Sequence, residues 1–171
     1  MTRGIRPDHF NRDYFTKGRA TFHRFHGGKA RHIRNQVETH LYDERPDSVI
    51  ILAGGNDLPV ARRQRPTALA DIAGHIIDIA LMCKKYEVSN ICISSVLPRE
   101  DFYSQLYRKE VNDILRSLCE LYDFYFIDND SGEDRIILSK HIAQDGVHLN
   151  SVGSELLALR FGNVLNSIHL C

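Results

Sequence analysis

The chain has 171 residues, 43% hydrophobic and 26% charged: one domain's worth, with enough apolar material for a sizeable core, and too ordinary for a collagenous, mucin-like or disordered chain. Its 22 Lys plus Arg balance its 22 Asp plus Glu, so no net charge drives it onto nucleic acid or an anionic membrane. No apolar run approaches the roughly 20 residues of a membrane-spanning helix, and the polar start MTRGIRPDHF does not read as a secretory signal.

In chain order, Arg19–Phe25 alternates Ala20, Phe22 and Arg24 with Thr21, His23 and Phe25, a weak strand candidate. Ala30–Asp43 carries Ile33, Val37 and Leu41 four apart and reads as a helix. Ser48–Ala53 (SVIILA) is a continuous apolar run, the pattern of a strand covered on both faces. A helix is expected over Ala68–Tyr86, its start punctuated by Pro66 and Thr67 and its stripe made of Leu69, Ile72, Ile76, Ile79 and Met82. Asn90–Val96 (NICISSV) is a second buried strand. Phe102–Leu121 is a helix with Leu106, Val111, Leu115 and Leu118 on one face, and Asp123–Asp128 (DFYFID) is a third strand. Ser151–His169 closes the chain as a helix. Strands and helices alternating at this spacing imply βαβ crossovers and a parallel α/β sheet with helices on both faces, all within one domain, residues 1–171. Such sheets bind ligands at the carboxyl ends of their strands.

Three segments lie at such positions. Ser48–Ala53 runs into Gly54-Gly55-Asn56-Asp57, where the glycines allow a tight turn and Asn56 projects a neutral amide donor, the kind of group an oxyanion hole uses. Asp145-Gly146-Val147-His148 precedes the last helix, which Asn150 or Ser151 caps. A carboxylate three residues before an imidazole can reach back to one ring nitrogen and leave the other as a general base. His26-Gly27-Gly28-Lys29 offers backbone N–H groups at a helix start, an anion-holding arrangement or an ordinary turn.

Together the three segments resemble the SGNH/GDSL hydrolase family along nearly the whole chain. Gly54-Gly55-Asn56-Asp57 matches its Gly-x-Asn-Asp block, and Asp145-Gly146-Val147-His148 its Asp-x-x-His block with the trailing helix LNSVGSELLA. Gly27 in FHGGKA matches its glycine block, and ISSVLPR resembles its fourth strand and the loop after it. The resemblance implies a three-layer α/β/α, flavodoxin-like sheet. It makes His148 the general base and Asp145 its orienting partner. Gly27 and Asn56 become the oxyanion hole, with Gly54 and Asp57 supporting the loop. It also implies cleavage of esters, thioesters or O-acyl groups, with a small acylated substrate in the cleft and no metal or organic cofactor.

One block is missing. The family's Gly-Asp-Ser, which carries the nucleophile at the end of a central first strand, has no counterpart, and Met1-Thr2-Arg3-Gly4 resembles the residues just after that block. The expectation is therefore an N-terminally truncated chain without nucleophile or first strand, inactive as it stands. Thr2 would have to act from a mobile terminus. Ser94 and Ser95 lack a glycine elbow and read as strand residues near the site. A non-catalytic descendant that binds a ligand or partner in the same cleft is the alternative.

Residues 1–34 carry nine Lys or Arg against Asp8 and Asp13, a local charge of +7, with −7 over the remainder. This is either a solvated surface or a nucleic-acid-facing patch, as in the esterase-like domains that some retrotransposons encode. Leu58–Arg65 and Pro98–Phe102 are expected to line the cleft. Arg62, Arg63 and Arg99 either meet a substrate there or face water. Cys83, Cys92, Cys119 and Cys171 lack metal-site spacing and fit a reducing, intracellular and cytoplasmic compartment, with Cys92 a buried hydrophobe. There is neither a G-x-G-x-x-G dinucleotide turn nor a P-loop.

Overall fold

The computed structural model describes residues 7–15, 17–61, 67–133, 135–136 and 138–168. In chain order the elements are α1 (Pro7–Asp13), α2 (Ala30–Arg34), α3 (Val37–Glu44), β1 (Ser48–Ile51), α4 (Leu58–Ala61), α5 (Ala68–Lys85), β2 (Asn90–Ser94), α6 (Phe102–Tyr122), β3 (Tyr125–Ile127), α7 (Leu138–His141) and α8 (Ser151–Ile168). Among the described residues the sheet has three strands in the order β1-β2-β3, every pairing parallel. Ile51 stands opposite Ile93, and Ser94 opposite Ile127. The carboxyl ends therefore line up, and the loops after all three strands emerge on one side.

The sheet separates two apolar layers. Successive strand residues point to opposite faces. Ile91 and Ile93 of β2, Val49 and Ile51 of β1 and Phe126 of β3 pack with α2, α3, α5 and α6. Cys92, Ile50, Leu52 and Ile127 pack with α1 and α8. The apolar runs are continuous for this reason: both faces of each strand need an apolar side chain. Cys83, Cys92 and Cys119 are buried free thiols, each pushed up to about 12 by burial.

Four expectations need correction. Residues 19–25 form no strand; Ala20 and Phe22 pack on the second layer, but no described ladder takes this backbone. Asn11 instead acts as a surrogate strand for one residue: its Nδ2 donates to Ala20 O and its Oδ1 accepts from Ala20 N. The helix expected over Ala30–Asp43 is two helices, broken at Asn35 and Gln36, where Gln36 N–H turns back to Ile33 O in a tighter i to i−3 bond. The apolar spacing survives the break because Ile33, Val37 and Leu41 still face α5. Helices α1, α4 and α7 fall outside the expected elements; the last two have only four residues each, too short for a periodic signal. The strands are also shorter than their apolar runs: Leu52 and Ala53 leave β1, and Ser95 and Val96 leave β2, as the chain turns into the loops that carry polar groups.

Candidate active site

The turn between α7 and α8 is built around one carboxylate. Asp145 Oδ1 accepts from the backbone N–H groups of Val147 and His148, both at 2.9 Å. Its Oδ2 lies 2.6 Å from His148 Nδ1. These bonds, the His148 backbone N–H foremost, hold the Asp145 carboxyl well below the usual carboxylate range. An ionised carboxylate only accepts, so His148 Nδ1 must carry a proton. In neutral imidazole this leaves the Nε2 lone pair available as a base. The His148 side chain is 24% exposed, so the ring is held and still reachable.

The frame of this turn extends further. Ile142 and Leu149 form an antiparallel bridge, with Ala143 N–H donating to His148 O and Asn150 N–H to His141 O. Asn150 is the residue that caps α8: its Oδ1 accepts from Gly153 N–H at 2.9 Å, and Ser151 is the first helical residue. Gly146, with φ +68°, sits against Glu100, where an added Cβ would lie 3.0 Å from Glu100 Cβ.

The second turn comes after β1. Gly54 is buried at φ +96°, and an added Cβ would fall 2.9 Å from Val96 Cγ2 and 3.2 Å from Ile76 Cδ1. Only glycine satisfies both demands. Asp57 N–H closes the turn onto Gly54 O. Asn56 Nδ2 donates to Gly28 O at 3.1 Å; an amide carries two N–H donors, so one remains for a ligand. Asp57 Oδ2 accepts from Ala30 N–H at 3.0 Å, capping α2 from 27 residues away. At this glycine-rich helix start, the helix N-terminus is met by the protein's own Asp57 carboxyl. Burial raises the Asp57 carboxyl above its ordinary value, opposed by the Ala30 N–H. Gly27 adopts φ +65°, with open space where a Cβ would stand.

One loop ties the two turns together. Arg99, just after β2, donates through Nη1 to Gly55 O and to Asn56 Oδ1, and its Nε lies 3.3 Å from Asp101 Oδ2. The next residue, Glu100, donates its N–H to Gly146 O at 2.8 Å. The Asn56 turn and the His148 turn are therefore held by two adjacent residues of a third loop.

Arg99 has only 15% of its side chain exposed, so it neither faces water nor stands free for a substrate; it braces the Asn56 turn. Arg62, Arg63 and Thr2 lie outside the described residues. Leu58 is fully buried beneath the site and lines no cleft, and of the other proposed lining loop Pro98 is buried while Phe102 is 68% exposed. Ser94 and Ser95 are also buried: Ser94 Oγ accepts from Asn129 Nδ2, and Ser95 Oγ accepts from Asn129 N–H. Neither hydroxyl is reachable by a substrate. Sequence reasoning missed the Arg99 and Glu100 contacts, because nothing local in LPRED marks partners more than 40 residues away.

The fold and these two turns define an α/β domain with an imidazole–carboxylate pair and an asparagine turn at the carboxyl ends of a parallel sheet, an SGNH-hydrolase-like arrangement. The chain belongs to the GDSL-like lipase/acylhydrolase family, whose model matches residues 6–156. Solved structures share the fold. A GDSL-like lipase from Bacteroides thetaiotaomicron is 18% identical with a TM-score of 0.68, over 83% of this chain and 73% of that one. A family 3 carbohydrate esterase from Talaromyces cellulolyticus is 19% identical with a TM-score of 0.70, over 83% and 68%. A catalytic mutant of an acetylxylan esterase from Geobacillus stearothermophilus is 19% identical with a TM-score of 0.61, over 79% and 66%. No curated protein matches the chain. No helix among the described residues is long and apolar enough to cross a membrane.

Proposed function

We propose that this chain supplies the base and oxyanion portions of a serine ester hydrolase, and that the nucleophile is none of its own residues. The 2.6 Å His148–Asp145 pair, aimed by a carboxylate that stays ionised, is the observation that carries this reading. In it, His148 Nε2 takes the proton of an attacking serine hydroxyl and returns it to the leaving alcohol. Asp145 fixes the ring and stabilises the imidazolium that forms. The tetrahedral oxyanion accepts from the second Asn56 N–H and from Gly27 N–H. Each such donor is worth about 3–4 kcal/mol in the transition state. The substrate class is a small acyl ester, as the names of the similar acetylxylan and carbohydrate esterases suggest.

The outer edge of β1 is where a strand bearing such a nucleophile would pair. Among the described residues β1 pairs only with β2, and Val49 and Ile50 are half-buried despite their apolar character. A parallel strand added at that edge would deliver its carboxyl end beside Gly54–Asn56, where a serine would meet the oxyanion donors.

The test fuses an apolar strand ending in Gly-Asp-Ser to the N-terminus and monitors p-nitrophenyl acetate hydrolysis. The 171-residue chain should match its His148→Ala variant at background. The fusion should turn over, and lose activity at least 100-fold with Gly-Asp-Ala or His148→Ala. Turnover by the unfused chain that depends on His148 would place the nucleophile within it and overturn the proposal. A folded fusion without turnover would instead favour the non-catalytic, ligand-binding reading of the same cleft.

A further inference from the structure

We propose that His23, His40 and Glu44 form a binding site for a divalent transition-metal ion of the zinc type, outside the candidate active site. His40 and Glu44 are four residues apart on α3, so both project from one face of the helix. His23 comes from the irregular segment ahead of Gly27 and reaches the same point. Its Nε2 lies 2.7 Å from Glu44 Oε1, and its ring centroid lies 3.9 Å from that of His40. One ligand atom from each of the three falls within 4.8 Å of the others.

The donor set selects the metal. Two imidazole nitrogens and one carboxylate oxygen are a three-ligand set of the kind zinc accepts, leaving a fourth position for water. Calcium and magnesium, which call for oxygen donors, are poorly served. Bonds of about 2.1 Å at tetrahedral angles separate ligand atoms by roughly 3.4 Å. The His23–Glu44 contact would open slightly and the wider separations would close, through side-chain rotations at half-exposed positions. A supporting contact is already present: Thr21 Oγ donates to Glu44 Oε2 at 2.7 Å, which fixes the carboxylate from behind as outer hydrogen bonds do at metal sites. Phe25 meets the His40 ring edge-to-face at 6.0 Å and limits its rotation.

A bound ion would cross-link residues 21–23 to α3. This segment has no ladder of its own and leads four residues later into Gly27. The metal would therefore be structural: it would order the approach to the glycine turn and take no part in acyl transfer.

The experiment titrates Zn2+ into the tag-free 171-residue chain by calorimetry and records the visible absorption of the Co2+ form. One equivalent should bind, with the intense bands of four-coordinate cobalt. His23→Gln, His40→Gln and Glu44→Gln should each weaken Zn2+ binding at least tenfold, while His26→Gln and His75→Gln bind as the parent does. Zn2+ should raise the melting temperature of the parent and not of His23→Gln. No binding to the parent, or octahedral cobalt only, would reduce the cluster to a hydrogen-bonded His–Glu pair and overturn the proposal. Binding that the three variants leave intact would do the same by placing the ion elsewhere.

Discussion

The two turns of the candidate site share a bracing loop but differ in where most of their contacts come from. The Asp145–His148 turn is stabilised mainly from within: the hydrogen bonds of the Asp145 carboxylate fall inside three residues, and the Glu100 N–H on Gly146 O adds a contact from outside. The Gly54–Asp57 turn is stabilised from outside, by Gly28 and Ala30 on one side, Arg99 on the other, and Val96 and Ile76 beneath. The two carboxylates differ in the same way. Asp145 is nearly half exposed and is kept ionised by its hydrogen bonds; Asp57 is mostly buried and resists ionisation. A local turn can be right even where the surrounding fold is marginal, whereas a turn made of distant partners is right only when the whole sheet is.

Four measurements would break or sharpen that contrast. The largest effect is expected from Gly54→Ala, where positive φ costs roughly 1–2 kcal/mol and overpacking against Val96 another 1–3. Urea unfolding should show a loss of about 3 kcal/mol, and a loss below about 1 kcal/mol would mean that the outside contacts yield more readily than the geometry says. Arg99→Ala comes next, at about 2 kcal/mol, because it strips a charged donor from Gly55 and Asn56 and leaves the Asp101 carboxylate without its cation. Arg99→Lys should recover less than half, since one ammonium cannot reproduce the fork.

The third is Asp145→Asn. The wild-type carboxyl sits below its unfolded value, so its stabilisation is present above the ordinary carboxylate range and fades as pH falls toward the folded value. The variant should be less stable at pH 7 and converge on wild type in acid, as read from unfolding curves at several pH values. The smallest effect is Asp57→Asn, within about 1 kcal/mol at neutral pH because the amide oxygen can still accept from Ala30 N–H. Its pH dependence should have the opposite sign. The raised carboxyl makes wild type lose stability as pH climbs from the acid side through the Asp57 value, so the variant gains on wild type over that interval. If both carboxylates titrated stability in the same direction, the contrast would fail.

The same division explains what could be read in the amino-acid sequence. β1, β2, β3 and the helices α5, α6 and α8 are legible because each is long or continuous enough for its period to show. The spacing of Asp145 and His148 is legible because three residues fix their meeting. Arg99 is not: its partners are 43 and 44 residues distant, and a lone arginine after a proline looks like any surface residue. Residues 19–25 have the alternation of a strand and no described partner to pair with, so their side chains pack while their backbone stays irregular. His23, His40 and Glu44 escape notice for a third reason: the spacing of His40 and Glu44 is common on helices, and only the fold brings His23 to them.

The buried thiols have a practical consequence. Cys83 and Cys119 lie in the layer under α5 and α6, and Cys92 lies in the layer under α1 and α8. A thiol held near 12 in an apolar interior does not react with iodoacetamide until its surroundings part. Alkylation and then peptide mapping would therefore time the opening of each layer separately, with no engineered probe. The two faces of the sheet carry their own clocks, and a difference between them would reveal which half of the molecule lets go first.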